Sequence, residues 1–298
     1  MQSQDTVRQP NLARENAQNA ATGLYVVATP IGNAADITLR ALAVLKACDL
    51  IAAEDTRVTS KLLAIHGISK PLSAYNDHNA ARERPRLLAK LRGGARIALV
   101  SDAGTPLVSD PGYKLVRAAL AEGLPVQAIP GPSAALTALA LAGLPTDRFL
   151  FAGFLPTKSG ERRRVLAELR STRASLIFFE SPQRLADALA DMAEVLGSRP
   201  AAVARELTKL HEEVRRGDLE QLAAQYAEEA PPKGEVTVVV GPPPDTAPDF
   251  AKADALLSKA LPLMPLSGAA DLIAEALDLP KRAIYERALA LKARNEAG

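Results

Sequence analysis

From Gly23 onward the chain alternates short apolar, β-branched runs with longer stretches whose apolar residues recur at helical spacing. That alternation constrains the fold strongly. Two parallel strands can only be joined by a crossover of a dozen or more residues, and the sheet they form must be covered on both faces. Leu24 to Ala28, Leu50 to Ala53, Pro71 to Tyr75, Ile97 to Val100 and Val126 to Ile129 read as strands. Thr38 to Ala47, Arg57 to His66, Ala80 to Leu91 and Tyr113 to Ala121 read as helices between them, with Asp36 as an N-cap and Gly67 as a left-handed C-terminal residue. Ser133 to Ala142 follows as a helix of small residues, suited to close packing on a sheet. The fold class is α/β, built on a largely parallel sheet.

The stretch Leu144-Pro145-Thr146-Asp147 interrupts this rhythm, and Phe149 to Phe154 opens a second unit. Strands at Ser175 to Phe179, Ala201 to Arg205 and Glu235 to Val240 alternate there with helices at Arg162 to Leu169, Gln183 to Leu196 and Leu219 to Glu228. Consecutive prolines at 242–244 stiffen a linker and end it. The expected domains are 23–145 and 146–242, both α/β, followed by a helical module over 249–298. The polar segment 1–22, without an apolar face, is expected to be a disordered extension. Within the module, Asp278-Leu279-Pro280 turns one helix into the next in the manner of a helix-turn-helix, yet seven basic residues face seven acidic ones. That balance weakens a phosphate-binding reading.

Composition closes off several functions. A lone cysteine, Cys48, rules out a disulfide framework and multi-cysteine metal sites, and three scattered histidines argue against a metal enzyme. No run is long and apolar enough to span a membrane, and the N-terminal segment lacks the apolar core of a signal peptide, so a cytoplasmic protein is expected. With a net charge of +2, any affinity for nucleic acid must come from local patches.

Three loops stand where strands should end: Thr29-Pro30-Ile31-Gly32-Asn33, Ser101-Asp102-Ala103-Gly104-Thr105-Pro106 and Pro130-Gly131-Pro132-Ser133-Ala134. In open α/β sheets ligands bind beyond the carboxyl ends of strands, so the three together imply one pocket. Neither G-x-G-x-x-G nor G-x-x-x-x-G-K-[ST] occurs, which removes the usual pyrophosphate cradles. Ala53-Glu54-Asp55-Thr56-Arg57, Tyr75-Asn76-Asp77-His78-Asn79, Glu180-Ser181-Pro182-Gln183-Arg184 and Arg205-Glu206-Leu207-Thr208-Lys209 put further polar groups at strand ends. Helix capping by Asp55 and solvated loops are the bland readings of these. Six basic residues against two acidic ones over 158–173, and six against one over 82–96, make two local patches able to meet a polyanion.

Taken together, Leu24 to Asn33, Ala53 to Arg57, Ser101 to Pro106 with Asp110-Pro111-Gly112, Pro130 to Ala134 and Arg205 to Lys209 resemble one family. It is the 16S rRNA (cytidine 2′-O)-methyltransferases of the tetrapyrrole methylase superfamily, and the resemblance runs from about Gly23 to the C-terminus. It departs at Asn79-Ala80, where the family often has an acidic residue after the asparagine. The resemblance implies two α/β domains with S-adenosylmethionine in the cleft between them, a C-terminal helix-turn-helix module and a homodimer, acting on 16S rRNA of the small ribosomal subunit. It implies Pro30, Asp102, Thr105, Ser133, Ala134, Phe179, Ala204 and Thr237 as cofactor-binding residues. A ribose hydroxyl is a weak nucleophile, so a carboxylate or other base within hydrogen-bond reach is expected to take its proton; the strand-end candidates are Glu54, Asp55 and Glu180. Arg57 and Arg184 are the expected holders of nearby phosphates, joined on the patch by Lys158, Arg162, Arg163 and Arg164. A methyltransferase acting on a tetrapyrrole or another small acceptor, and an RNA-binding or assembly protein without turnover, are the alternatives.

Overall fold

The computed structural model describes residues 21–107, 112–244, 250–277 and 279–296. The expected N-terminal extension, apart from Ala21 and Thr22, lies outside the described residues, as do Asp110, Pro111, Asp249 and Asp278.

The first sheet comprises β1 (Gly23–Val27), β2 (Leu50–Ala53), β3 (Leu72–Ala74), β4 (Arg96–Val100) and β5 (Val126–Ile129), alternating with helices α1 (Leu39–Ala47), α2 (Thr56–Ile65), α3 (Ala80–Arg92) and α4 (Tyr113–Ala121). Its order is β3-β2-β4-β1-β5 and every neighbouring pair is parallel. All five residues of β1 are buried. Tyr25 and Val27 pack into one core cluster and Leu24 into another, because successive strand residues face opposite sides of the sheet. The cap of α1 is Thr38, whose hydroxyl accepts from the Ala41 N–H at 3.1 Å. Asp36, the cap expected from the sequence, sits instead in a short 3₁₀ turn over Ala34–Asp36.

Helix α5 (Ala134–Ala142) leaves the first sheet and lies on the second. Its buried positions Ala135, Ala138, Leu139 and Ala142 recur at helical spacing and pack on Ile177, Ala202, Ala204 and Val239. Methyl-sized side chains let the helix approach the sheet closely.

The second sheet comprises β6 (Phe149–Phe154), β7 (Ser175–Glu180), β8 (Pro200–Arg205), β9 (Glu213–Asp218) and β10 (Val236–Val240), in the order β6-β7-β10-β8-β9. Only β6 and β7 pair in parallel; β7–β10, β10–β8 and β8–β9 are antiparallel. The expectation of a largely parallel sheet therefore holds for the first sheet and fails for the second. The sequence reading also missed β9, an edge strand rich in charge (Glu213, Arg215, Arg216, Asp218) with no fully buried residue. Edge strands use such charges to discourage pairing with other chains, which erases the apolar alternation that would reveal them. Helices α6 (Ser159–Leu169), α7 (Leu185–Leu196) and α8 (Leu219–Glu228) cover the face opposite α5, over Leu176, Phe178, Val203, Val238 and Val240.

The chain divides into two compact units, the first ending at Pro242 and the second beginning at Pro243. The first holds both sheets. The second contains α9 (Phe250–Ala260), α10 (Leu266–Leu277) and α11 (Lys281–Glu296) around Ala253, Leu257, Ala270, Ile273, Ile284 and Ala288. Arg287 pairs with Asp254 and lies 4.6 Å over the Phe250 ring, fixing α11 against α9. Among the described residues no helix is long and apolar enough to cross a membrane.

Candidate active site

The three sequence-marked loops meet at the carboxyl ends of β1, β4 and β5. Thr29 and Gly104 exchange backbone hydrogen bonds of 2.9 and 3.0 Å, joining the first loop to the second. Gly104 sits at φ 76°, a left-handed geometry that glycine adopts at no steric cost. The Thr105 hydroxyl donates to the Pro132 carbonyl at 3.2 Å, joining the second loop to the third. These ties fix one wall of a cavity of ≈ 420 Å³.

The opposite wall comes from the second sheet. Thr237 of β10 lies directly across from Phe179 of β7 and Ala204 of β8, and Phe179 is in turn the register partner of Phe154. Directly paired residues share a face of a sheet, so these four side chains form one lateral row. All four line the cavity, together with Leu207, Gly234 and Val236. Leu207 is held there by unusual backbone, since its neighbours Glu206 (φ 51°) and Thr208 (φ 64°) are both left-handed. Each such residue costs on the order of 1 kcal/mol or more and persists only where its surroundings enforce it. Lys209 supplies the enforcement by bonding Glu206 at 2.7 Å and Glu235 at 2.9 Å, with its stem pressed on Gly32, where a Cβ would stand 2.4 Å from Lys209 Cγ.

Seven of the eight expected cofactor residues, Asp102, Thr105, Ser133, Ala134, Phe179, Ala204 and Thr237, line this cavity. The eighth, Pro30, is buried beside it and its neighbour Ile31 forms the lining instead. Glu54 and Glu180 also line it, and Asp55 does not. Phe154, Leu207 and the Gly234–Val236 stretch were not among the site residues expected from the sequence. A ring with no polar atom, a leucine inside a charged motif and the start of a strand carry no local mark of a site.

The three carboxylate candidates occupy different environments. Asp55 caps α2, accepting from the Arg57 N–H at 2.8 Å, and pairs with the Arg57 guanidinium at 2.6 Å, which holds its carboxyl down at about 2. Glu180 has a fully buried side chain whose Oε1 takes the Arg184 guanidinium at 2.5 Å and the Ser181 N–H at 2.7 Å. Glu54 is different. Its pKa is raised by burial first and then by the charges of Asp102, Asp77 and Asp55, against a lowering hydrogen bond from the Asp102 N–H at 3.4 Å. Among the described residues no cation pairs with it. Asp102 is likewise raised by burial, and its Oδ1 accepts from the Asp55 N–H at 2.9 Å. The cavity thus sets two carboxylates, neither of them in a salt bridge among the described residues, against a largely apolar row, an arrangement that suits an amphipathic cation.

The expected phosphate contacts separate into two groups. Arg57 is 87% exposed in its side chain, Arg164 is exposed, and Lys158 reaches solvent while pairing loosely with Glu161 at 3.3 Å. Arg162 is a correction: its side chain is 4% exposed and its guanidinium is spent on the equally buried Asp191 at 2.5 Å, an internal brace between α6 and α7. Arg163 joins that brace at 2.6 Å from Asp191 and 2.7 Å from Glu194. A separate groove of ≈ 490 Å³ runs along the outer side of α5, but Asp36 is its single ionisable lining residue, so it lacks comparable chemistry.

Comparison with known proteins agrees with this architecture. The family described as Tetrapyrrole (Corrin/Porphyrin) Methylases matches residues 23–223, and the RsmI C-terminal HTH domain matches residues 247–292. A ribosomal RNA small subunit methyltransferase I of Mesorhizobium japonicum is 54% identical over 270 residues, covering 90% of this chain and 92% of that protein. Another, from Erythrobacter litoralis, is 53% identical over 277 residues, covering 93% and 98%. Among solved structures, a Thermus thermophilus uroporphyrin-III-C-methyltransferase is similar at 25% identity and a TM-score of 0.54, covering 74% of this chain and 94% of its own. Diphthine synthase shares the fold at 19% identity and a TM-score of 0.57, covering 73% and 89%. On the extent of these matches, the chain belongs to the tetrapyrrole methylase family, in the group of the ribosomal RNA small subunit methyltransferases I.

Proposed function

We propose that this chain transfers a methyl group from S-adenosylmethionine to the ribose 2′-oxygen of a cytidine in 16S rRNA of the small ribosomal subunit. The observation that carries the reading is the setting of Glu54, paired with no cation among the described residues, against the largely apolar row Phe179–Thr237–Ala204 across one cavity. When bound, S-adenosylmethionine supplies a methyl group already activated by its positive sulfonium. Phe179, Ala204 and Val236 give its uncharged parts an apolar wall, while Asp102 answers its positive charge.

Glu54 is the general base. It accepts the 2′-hydroxyl proton as the new carbon–oxygen bond forms, and its raised pKa brings its basicity closer to that of the proton it takes. Asp55 is unsuited to the task, being pinned to Arg57 and very weakly basic. Most of the remaining acceleration comes from holding oxygen and methyl in line, which is a matter of cavity shape. The loop ties Thr29–Gly104 and Thr105–Pro132 provide that rigidity. Arg57 and Arg164, being exposed, hold flanking phosphates.

The same reading carries a homodimer in the cytoplasm, with 23–145 and 146–242 as its two α/β halves. Transfer of labelled methyl groups to undermethylated 30S subunits, compared with free rRNA and with a tetrapyrrole, tests it. Incorporation into the subunit at the ribose of one cytidine is expected. Labelling of the tetrapyrrole alone assigns a small-acceptor methylase, and labelling of nothing assigns a binding protein.

A further inference from the structure

Phe154 stands out among the residues around the cavity. It ends β6 at the outer end of the row and is 57% exposed, although it lines the cavity with Phe179. Its ring is not loose. It meets Phe179 edge to face, with centroids 5.6 Å apart and planes at 62°, and Phe179 meets Phe151 the same way at 4.8 Å and 67°. The result is an aromatic surface packed on Phe179 and open to solvent beside the cavity.

A guanidinium is anchored to the same strand end. Arg184 donates from Nη1 to the carbonyl of Leu155, the residue after Phe154, at 3.4 Å, from Nε to Ser181 Oγ at 3.2 Å, and from Nη2 to Glu180 Oε1 at 2.5 Å. Of its five N–H donors these bonds use three, and 25% of the side chain remains exposed. Glu180 is fully buried, and its other oxygen has no partner, so its charge rests on Arg184 and fixes where that guanidinium stands. A ring and a planar cation held on one strand end match a base and its phosphate.

Volume supplies the third argument. Cavities that hold one drug-sized ligand measure about 300–1,000 Å³. At ≈ 420 Å³ this cavity is of the size that holds one such ligand, so with the cofactor inside, an acceptor nucleotide would enter from the open end with its ribose reaching toward Glu54. Recognition of single-stranded RNA depends on splayed bases stacking on aromatic side chains.

Building on the function proposed above, we infer that Phe154 and Arg184 form the acceptor-nucleotide subsite: the base stacks on the Phe154 ring and its phosphate pairs with Arg184. Glu180 is then a positioning residue acting through Arg184, and not a proton acceptor.

The test compares Phe154→Ala, Phe154→Tyr, Arg184→Ala and Glu180→Gln with the unaltered protein, using 30S subunits as acceptor. S-adenosylhomocysteine affinity, measured by calorimetry, is followed in parallel. Phe154→Ala is expected to raise KM for the subunit and lower kcat/KM by roughly 5- to 150-fold, the stacking contribution of one base, with S-adenosylhomocysteine affinity unchanged. Phe154→Tyr, which keeps the ring, restores most of the loss. Arg184→Ala lowers the salt dependence of subunit binding by about one phosphate contact, and Glu180→Gln produces a weaker form of the same change. Unaltered subunit kinetics in Phe154→Ala overturn the inference. So does a loss of S-adenosylhomocysteine affinity large enough to explain the kinetic defect, because the ring would then belong to the cofactor. Activity of the unaltered protein on the subunit tests the proposed function itself, so the two failures are read from different samples.

Discussion

The two sheets contribute to one cavity by different means. In the parallel sheet every strand points the same way, so β1, β2, β4 and the α5 start all deliver their following residues to one edge, and Ile31, Glu54, Asp102 and Ser133 converge there from loops. In the mixed sheet, neighbouring strands mostly run oppositely, and what reaches the cavity is a row of paired side chains, Phe154, Phe179, Thr237 and Ala204, from within strands. Loops after the first sheet bring Glu54 and Asp102, and strands of the second sheet bring most of the shape. Changes on the first side should therefore alter rate at constant stability, and changes on the second should alter stability and volume together.

The sharpest test of that division is Glu54→Gln. Removing the proposed general base is expected to lower kcat by about 10²- to 10⁴-fold, while thermal midpoint and S-adenosylhomocysteine affinity stay near those of the parent. A variant that unfolds instead would break the comparison. On the other side, Ala138 is fully buried where α5 lies on the second sheet, so Ala138→Leu should overpack that contact and cost about 1–3 kcal/mol in urea denaturation. Activity should fall with it, since the same helix carries Ala134 into the cavity.

Arg215 of the edge strand β9 pairs with Glu213 at 2.8 Å and Glu229 at 2.7 Å and lies 5.0 Å over the Tyr226 ring. These are partly exposed contacts, so Arg215→Ala is expected to cost less than about 1 kcal/mol, and less still in high salt. The smallest expected effect is in pH dependence. As the proposed base Glu54 must be ionised to act, and its pKa is raised, so the acid limb of kcat is expected above the ordinary glutamate value. Asp102→Asn removes a neighbouring negative charge and should move that limb to lower pH, read from a pH–rate profile. The sign for stability is opposite: a raised carboxyl favours the fold below its unfolded pKa, and this is lost as pH rises through the folded pKa.

Much of the first sheet could be read directly from its sequence. Val26, Ile51, Leu99 and Ile129 sit in short apolar runs, and the loops after those runs contain residues with few other uses, such as Gly104 at positive φ. The mixed pairing of the second sheet was not legible, because strand direction depends on which strands become neighbours and not on any one strand's pattern. β9 was lost for a related reason, its exposed charges resembling a loop. Glu54, Asp55 and Glu180 looked alike in sequence, each following a strand and each near an arginine. What separates them is burial and partner, as when Asp55 caps α2 and pairs with Arg57 and Arg162 folds under to meet Asp191. Charge density along a chain does not tell which charges reach solvent.

The strand synthesised last in the second sheet stands in its middle. β10 separates β7 from β8, and until Val236 to Val240 leave the ribosome those two strands have only open edges to offer each other. The row that walls the cavity is incomplete without Thr237, and α5, made a hundred residues earlier, has no finished surface to settle on. The wall of the cavity therefore depends on the last strand to be made, and a chain ending before Val236 lacks the residue that joins Phe179 to Ala204.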